Sequence, residues 1–213
     1  MIITFGSLKG GVGKTTLTVN AAVELTRLGR SVFVVDADDI GSAAKWINDR
    51  EEYSPDAPPI FGAVRYGSLR NALHEFAKHY DDVLVDVGGF DSTELRSAAL
   101  ASDLLIVPMQ TSSLDIDTMP RFVKLLTDLK DLNPDLSARA LLTMASTHPQ
   151  DRDLDDSRKR LATWSGLLPV LDSALHHRTA YRKVMPLGRG VVEWKDSKAK
   201  AETQVLVQEM MSL

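Results

Sequence analysis

Short apolar runs alternate with stretches of helical periodicity along most of this chain. Ile2, Ile3, Thr4 and Phe5 are β-branched or aromatic and read as a buried strand, whereas Leu17, Val19, Ala21, Ala22, Leu25 and Leu28 recur at helical spacing and stop at Gly29. Strand signals return at residues 31–35, 83–87, 104–107 and 140–144, with weaker ones at 60–64 and near 168–171. Helical patterns cover 68–78, 93–101, 120–131, 153–163 and about 198–211. The alternation predicts an α/β fold: a doubly wound, mostly parallel sheet with right-handed crossovers and helices on both faces. The one loop-like shift in composition falls at 51–59, rich in Glu, Pro, Ser and Asp.

Composition narrows the possibilities. A chain of 213 residues with 44% hydrophobic content supports one sizeable core, so residues 1–213 are expected to form a single domain. A formal net charge of -4 argues against a globally basic nucleic-acid binder and leaves room only for a local basic face. The absence of cysteine excludes disulfides, thiolate metal sites and cysteine nucleophiles. Met1 leads directly into the first strand, which leaves no room for a signal segment, and no apolar run approaches a membrane span. A cytoplasmic protein is expected, with no N-terminal helix-turn-helix domain ahead of a strand that begins at residue 2.

The candidate chemistry sits where such sheets gather it, after the carboxyl ends of strands. Between the first strand and the first helix stands Lys9-Gly10-Gly11-Val12-Gly13-Lys14-Thr15-Thr16. A phosphate-binding loop of the form G-x-x-x-x-G-K-[ST] uses backbone N–H groups to cradle phosphates, its lysine to face the β/γ-phosphates and its hydroxyl to hold Mg²⁺. Here Leu8 occupies the place of the first glycine, so the strict pattern fails, while Gly13-Lys14-Thr15 survives with Gly10-Gly11 before it and a second lysine, Lys9, ahead. An anion there would meet a helix N-terminus. After the second strand come Asp36-Ala37-Asp38-Asp39, and Val83-Leu84-Val85-Asp86 has the form of the acidic residue that holds Mg²⁺ in loop-type NTPases. Each of these residues also admits a plainer reading, the glycines as a turn without ligand and the aspartates as caps of turns or helices.

Taken together, the lysine-flanked loop, Val34-Val35-Asp36-Ala37-Asp38 and Leu84-Val85-Asp86 resemble the ParA/MinD family of deviant Walker ATPases over nearly the whole chain. Leu104-Leu105-Ile106-Val107-Pro108 followed by Leu114-Asp115 looks like the family's fourth core strand and its loop. Arg178-Thr179-Ala180-Tyr181 and Gly190-Val191-Val192-Glu193 look like the C-terminal part of short plasmid-partition ParA proteins of the ParF type. The resemblance implies a P-loop NTPase fold, ATP and Mg²⁺ as cofactors, and a homodimer in the ATP state. It implies that Lys9, Gly10, Gly11, Val12, Gly13, Lys14, Thr15 and Thr16 hold the nucleotide, and that Thr15, Asp36 and Asp86 serve the metal. Lys9 would reach across the dimer to the partner's nucleotide, Lys14 would face its own, Asp38 would position the attacking water, and Met144 and Pro186 would contact the base. The chain departs from the family after its second strand, where Asp39-Ile40 replaces a proline and glutamine, and after the Mg²⁺ aspartate, where Gly88-Gly89 replaces a proline-containing turn.

Several relatives of that family are excluded by the residues. Without cysteine there is no cluster-carrying iron protein, and no tyrosine follows Tyr181 to make a tyrosine kinase's tail. Residues 201–213 contain Glu202 and Glu209 but no Lys or Arg, so anionic lipid would repel them; Val205, Leu206 and Met210 are expected to pack on the sheet. Two functions remain. One is a DNA-partition ATPase, nucleoid-associated in its ATP state, that binds DNA nonspecifically and is stimulated by a centromere-binding, ParB-like adaptor. The other is a ParA-like adaptor switch that positions conjugation or cell-division machinery without segregating DNA. For the first, the basic residues Arg178, Arg182, Lys183, Arg189, Lys195, Lys198 and Lys200 are the expected DNA contacts, with a merely solvated face as the plainer reading.

Overall fold

The computed structural model describes residues 1–113, 119–148 and 150–213. Its strands are β1 (Ile2–Phe5), β2 (Val32–Ala37), β3 (Phe61–Val64), β4 (Asp82–Val87), β5 (Leu104–Gln110), β6 (Ser137–Ala145) and β7 (Val170–His176). They form one 7-stranded sheet in the order β3-β2-β4-β1-β5-β6-β7, with every pair parallel. The helices are α1 (Lys14–Arg27), α2 (Ser42–Tyr53), α3 (Arg70–Phe76), α4 (Thr93–Ala101), α5 (Met119–Leu132), α6 (Asp153–Leu161), α7 (Thr179–Val184) and α8 (Ser197–Met210).

The central strands β1, β2, β4 and β5 are mainly apolar on both sides because helices cover both faces. Successive residues alternate between two cores: Ile3, Phe5, Val34 and Leu84 pack with α1, α2 and α8, while Ile2, Val35, Val83 and Val85 pack with α3, α4 and α5. Each such side chain, once fully buried, contributes about 1.5–3 kcal/mol. The strand register positions the acids, setting Asp36 beside Asp86 across the β2–β4 pair and Phe5 beside Asp86 across β1–β4. Strand β1 lies between β4 and β5, so its loop emerges at the centre of the sheet's carboxyl edge.

Several expectations are corrected. Strand β2 runs on to Ala37, so Asp36 lies within the strand instead of following it. Helix α2 is invisible to periodicity: its buried positions are Ala43, Trp46 and Arg50, and an arginine in the apolar stripe hides the pattern. The predicted loop at 51–59 accordingly loses its first residues to the last turn of α2. Helix α7 is only 6 residues long, too short for a periodic signal. In α8, Leu206 and Met210 are buried as expected, but Val205 is 56% exposed. Glu202 and Glu209 instead cap β7, accepting hydrogen bonds from the backbone of His176, Asp172 and Ser173. Leu114 and Asp115 lie outside the described residues.

Candidate functional site

The glycine loop leaves β1 at Phe5 and enters α1 at Lys14. Its turn needs glycine at two points, Gly11 (φ 75°) and Gly13 (φ 92°), where a side chain would be strained. Gly13 caps α1 with no side-chain hydrogen bond, and no acidic residue stands in the first turn, so that helix start presents uncompensated N–H groups and the positive end of its dipole. Ser7 braces the loop from below, its hydroxyl donating to the Lys9 carbonyl (2.8 Å) and accepting from the Lys9 N–H (3.1 Å).

Around this loop the predicted acids converge. Asp86 is fully buried and accepts the Thr15 hydroxyl at 2.6 Å and the Thr18 hydroxyl at 3.5 Å. Burial pushes its carboxyl up to about 7, with Asp36 raising it further and Thr15 and Lys14 opposing. Burial likewise raises Asp36, whose oxygens accept the backbone N–H groups of Ala44 (2.7 Å) and Asp38 (3.1 Å). Lys14 is 7% exposed, with Nζ 3.4 Å from the Lys9 carbonyl oxygen; burial lowers its pKa while Asp86 and Asp38 pull the other way. Asp38 is half-buried and accepts from the Ile40 N–H at 3.2 Å.

Lys14, Thr15 and Asp38 line a cavity of about 570 Å³ whose wall also includes Gly13, Gly89 and Met144, with buried Asp86 joined to it through the Thr15 hydroxyl. The donors fit a nucleotide's phosphates with a hard divalent cation. A hydroxyl and buried carboxylates are oxygen ligands, and a cation would supply Asp86 with the countercharge that its burial lacks. Among the described residues no group of three or more His, Cys, Asp or Glu side chains could hold a metal unaided. A Mg²⁺ ion, which characteristically keeps waters and borrows phosphate oxygens, matches such a partial ligand set.

A smaller, mainly apolar cavity of about 110 Å³ adjoins the first, sharing Gly13, Thr16 and Met144 and running on to Leu175, His177 and Tyr181. Met144 therefore stands at the junction, in a left-handed backbone conformation (φ 53°) unusual for its type. Pro186 is not brought there. It lies in a turn, Met185–Leu187, packed against α2 and outside the lining of either cavity.

The predicted basic residues are also divided. Arg178 is spent on Glu202, with Nη2 at 2.5 Å, and Arg189 on Asp56 and the Ser54 hydroxyl. Arg182, Lys183, Lys195 and Lys198 are exposed, and Lys200 is half-buried. Arg182 also borders the smaller cavity.

Three contributors were not predicted. Gln110, at the end of β5, donates Nε2 to the Gly11 carbonyl (2.7 Å) and to Met144 Sδ (3.0 Å). Thr143 donates its hydroxyl to the Val12 carbonyl at 3.1 Å. Gly89 meets the loop backbone so closely that a Cβ would lie 2.6 Å from Gly10 N.

The parallel sheet with its central glycine loop, two loop lysines and paired strand-end aspartates defines a P-loop protein of the deviant ParA/MinD ATPase class. Residues 1–211 match the family described as VirC1 protein, and the chain belongs to that family. It is 30% identical to protein virC1 of Rhizobium rhizogenes over 191 residues, covering 88% of this chain and 81% of that one. It is 26% identical to maintenance of carboxysome distribution protein A of Halothiobacillus neapolitanus over 195 residues, covering 90% and 86%. Its fold is similar to that of the septum site-determining protein MinD of Pyrococcus horikoshii, solved with Mg-ADP, at a TM-score of 0.74 and 21% identity over 98% of this chain and 95% of the other.

Proposed function

We propose that this protein is a Mg²⁺-dependent ATPase that dimerises around ATP and uses that cycle to partition DNA. The observation that carries the reading is the cavity at the mouth of the glycine loop, lined by Lys14, Thr15 and Asp38, with Asp86 bonded to the Thr15 hydroxyl and Asp36 beside Asp86 on the neighbouring strand. The Mg-ADP held by the similar MinD structure supports the choice of ligand. Thr15 and Asp86 would hold the metal through their side-chain oxygens, and it would supply the charge that neutralises the phosphates. Lys14, buried and close to the Lys9 carbonyl, offers its cation to the β/γ-phosphates. Asp38, on the cavity wall, orients the attacking water, and Lys9 serves the partner subunit's nucleotide, where cationic charge stabilises the transferring phosphoryl group. Met144 flanks the base. A ParB-like, centromere-binding adaptor stimulates hydrolysis, and the exposed lysines and arginines of residues 182–198 meet DNA and hold the protein on the nucleoid.

A second reading, the adaptor switch that positions conjugation or division machinery, is favoured by the ion pairs that remove Arg178 and Arg189 from the basic face and by the carboxysome-distribution relative. Light scattering with Mg-ATP tests the common engine. Wild type should dimerise, Lys9→Ala should bind ATP as a monomer, and Thr15→Ala should weaken Mg²⁺-dependent ATP binding more than metal-free ADP binding. A Lys9→Ala protein that dimerises like the parent would overturn the cross-subunit role. Random-duplex binding by the ATP-bound wild type separates the two readings, since the adaptor needs none.

A further inference from the structure

Helix α2 begins at the phosphate site and ends on the segment that carries the basic face. At its start, the Ala44 N–H is held by Asp36, and the turn ahead of it is closed by Asp38 and by Gly41 in a left-handed conformation. One turn before its far end, about 12 Å along the axis from Ser42, Arg50 is 3% exposed and makes a bidentate pair with Glu193 at 2.8 and 3.0 Å. The same guanidinium donates to the carbonyls of Gly188 (2.8 Å) and Pro58 (3.0 Å). Trp46 Nε1 donates to the Arg189 carbonyl, and the Ser54 hydroxyl to the Leu187 carbonyl. Gly188 packs so tightly on Arg50 that a Cβ would lie 2.1 Å from its backbone. Residues 187–193 thus form a strap fixed to α2 by buried, directional contacts.

The strap has a second anchor. Asn20 of α1 accepts the Val191 N–H at 2.7 Å, and Gly190 lies against Val23 of the same helix. Helix α1 starts at Lys14, in the phosphate loop, and α2 starts after Asp38; the strap bridges both. On either side of it stand the exposed Arg182 and Lys183 of α7, and Lys195 just before α8 with Lys198 in its first turn. The strap therefore joins the helix that leaves the phosphate loop to the helix that follows the Asp38 turn.

We propose that the Arg50–Glu193 pair makes the strap a transmission element, through which the nucleotide state of the site sets the arrangement of the Arg182, Lys183, Lys195 and Lys198 face within a single chain. This rests on the nucleotide reading of the site but goes beyond it, since dimerisation alone would double the basic face without altering it. Arg50 and Glu193 are positioning residues; neither lines the phosphate cavity.

Hydrogen exchange on the full chain, with and without Mg-ADP, tests the idea independently of DNA. In wild type, nucleotide should change protection both in the phosphate loop and at residues 187–193 by at least about fivefold, the lower end of typical coupling. Glu193→Gln keeps the side chain's shape and should confine the change to the loop, with Mg-ADP affinity held within about threefold of wild type by calorimetry. Trp46→Phe, which removes a single donor, gives a milder second variant if Glu193→Gln fails to fold, and should roughly halve the response of the strap. A strap that ignores nucleotide in wild type, or that responds equally in the variants, overturns the proposal. A wild type that binds no Mg-ADP overturns the nucleotide reading and the proposal together, and calorimetry distinguishes that failure from the others.

Discussion

The phosphate loop and the basic C-terminal segment make an instructive pair. Around the loop, Thr15, Asp36 and Asp86 are held by short bonds to one another or to backbone, and strand register alone sets the two carboxylates side by side. In the segment from Arg178 to Lys200, the charges dense in sequence are scattered in space: one pairs with Glu202, another with Asp56, and the remainder stand on two helices and a turn. A polar group held at a strand end is restricted to one place by the sheet. A cation on an exposed helix is restricted by whatever acid it meets, so density along the chain says little about the surface it makes.

The contrast breaks most decisively at Lys14. Lys14→Ala removes the buried cation facing the cavity and should weaken ATP binding about 100-fold by calorimetry, the effect of losing one strong charge-assisted bond, with hydrolysis and dimerisation lost alongside. Asp38→Ala should do the reverse. It removes a carboxylate that accepts from the Ile40 N–H in its own turn, so ATP affinity should stay within about threefold while hydrolysis falls about 100-fold, the smaller end of what a positioned base contributes, and dimers should accumulate in light scattering. A monomeric Asp38→Ala protein that still hydrolyses ATP would reduce Asp38 to a turn residue.

A third variant probes the framework itself. In Gly89→Ala the new methyl would meet the backbone of Lys9 and Gly10 at 2.6–2.8 Å, and backbone cannot swing aside as a side chain can. Overpacking of this kind costs about 1–3 kcal/mol, so the melting temperature should fall, and ATP affinity should drop about tenfold as the loop is pushed out of register. Unchanged affinity would show that the loop tolerates displacement and that its geometry is less restrictive than its contacts suggest.

The same contrast separates what is legible in the chain from what is not. The parallel α/β fold is legible because both faces of its strands are apolar and the loop lysines stand between a strand and a helix. Lys14, Thr15, Asp36 and Asp86 are legible because strand ends and glycine loops have few local alternatives. Helix α2 is not, since Arg50 occupies a buried position that its pairing with Glu193, 143 residues away in sequence, and its bonds to the Gly188 and Pro58 carbonyls make tolerable. Gln110 and Thr143 escape a sequence reading because their roles depend on strand neighbours instead of local pattern. Pro186 is expected at the base by resemblance alone; the turn that carries it packs on α2 and lies outside the lining of both cavities.

The smallest effects sharpen the contrast where it is weakest, within the basic segment. Arg189 and Lys195 are alike in sequence terms, but Arg189 is bound to Asp56 and Ser54 while Lys195 is exposed. Arg189→Ala should therefore act on stability. Asp56 is 69% exposed, so the pair contributes at most about 1 kcal/mol after solvent screening, a fall in melting temperature of about 2–4 °C for a chain of this size. Its affinity for random duplex DNA in Mg-ATP should be unchanged. Lys195→Ala should leave the melting temperature where it was and instead reduce the steepness of log K against log salt by about 0.9, one counterion fewer released. Because that slope counts phosphate contacts directly, it discriminates even where the affinity change is slight. If Arg189→Ala flattens the slope as much as Lys195→Ala does, the Asp56 pair opens on DNA and both cations belong to one face; if neither variant moves it, the segment is a solvated surface and the adaptor reading prevails.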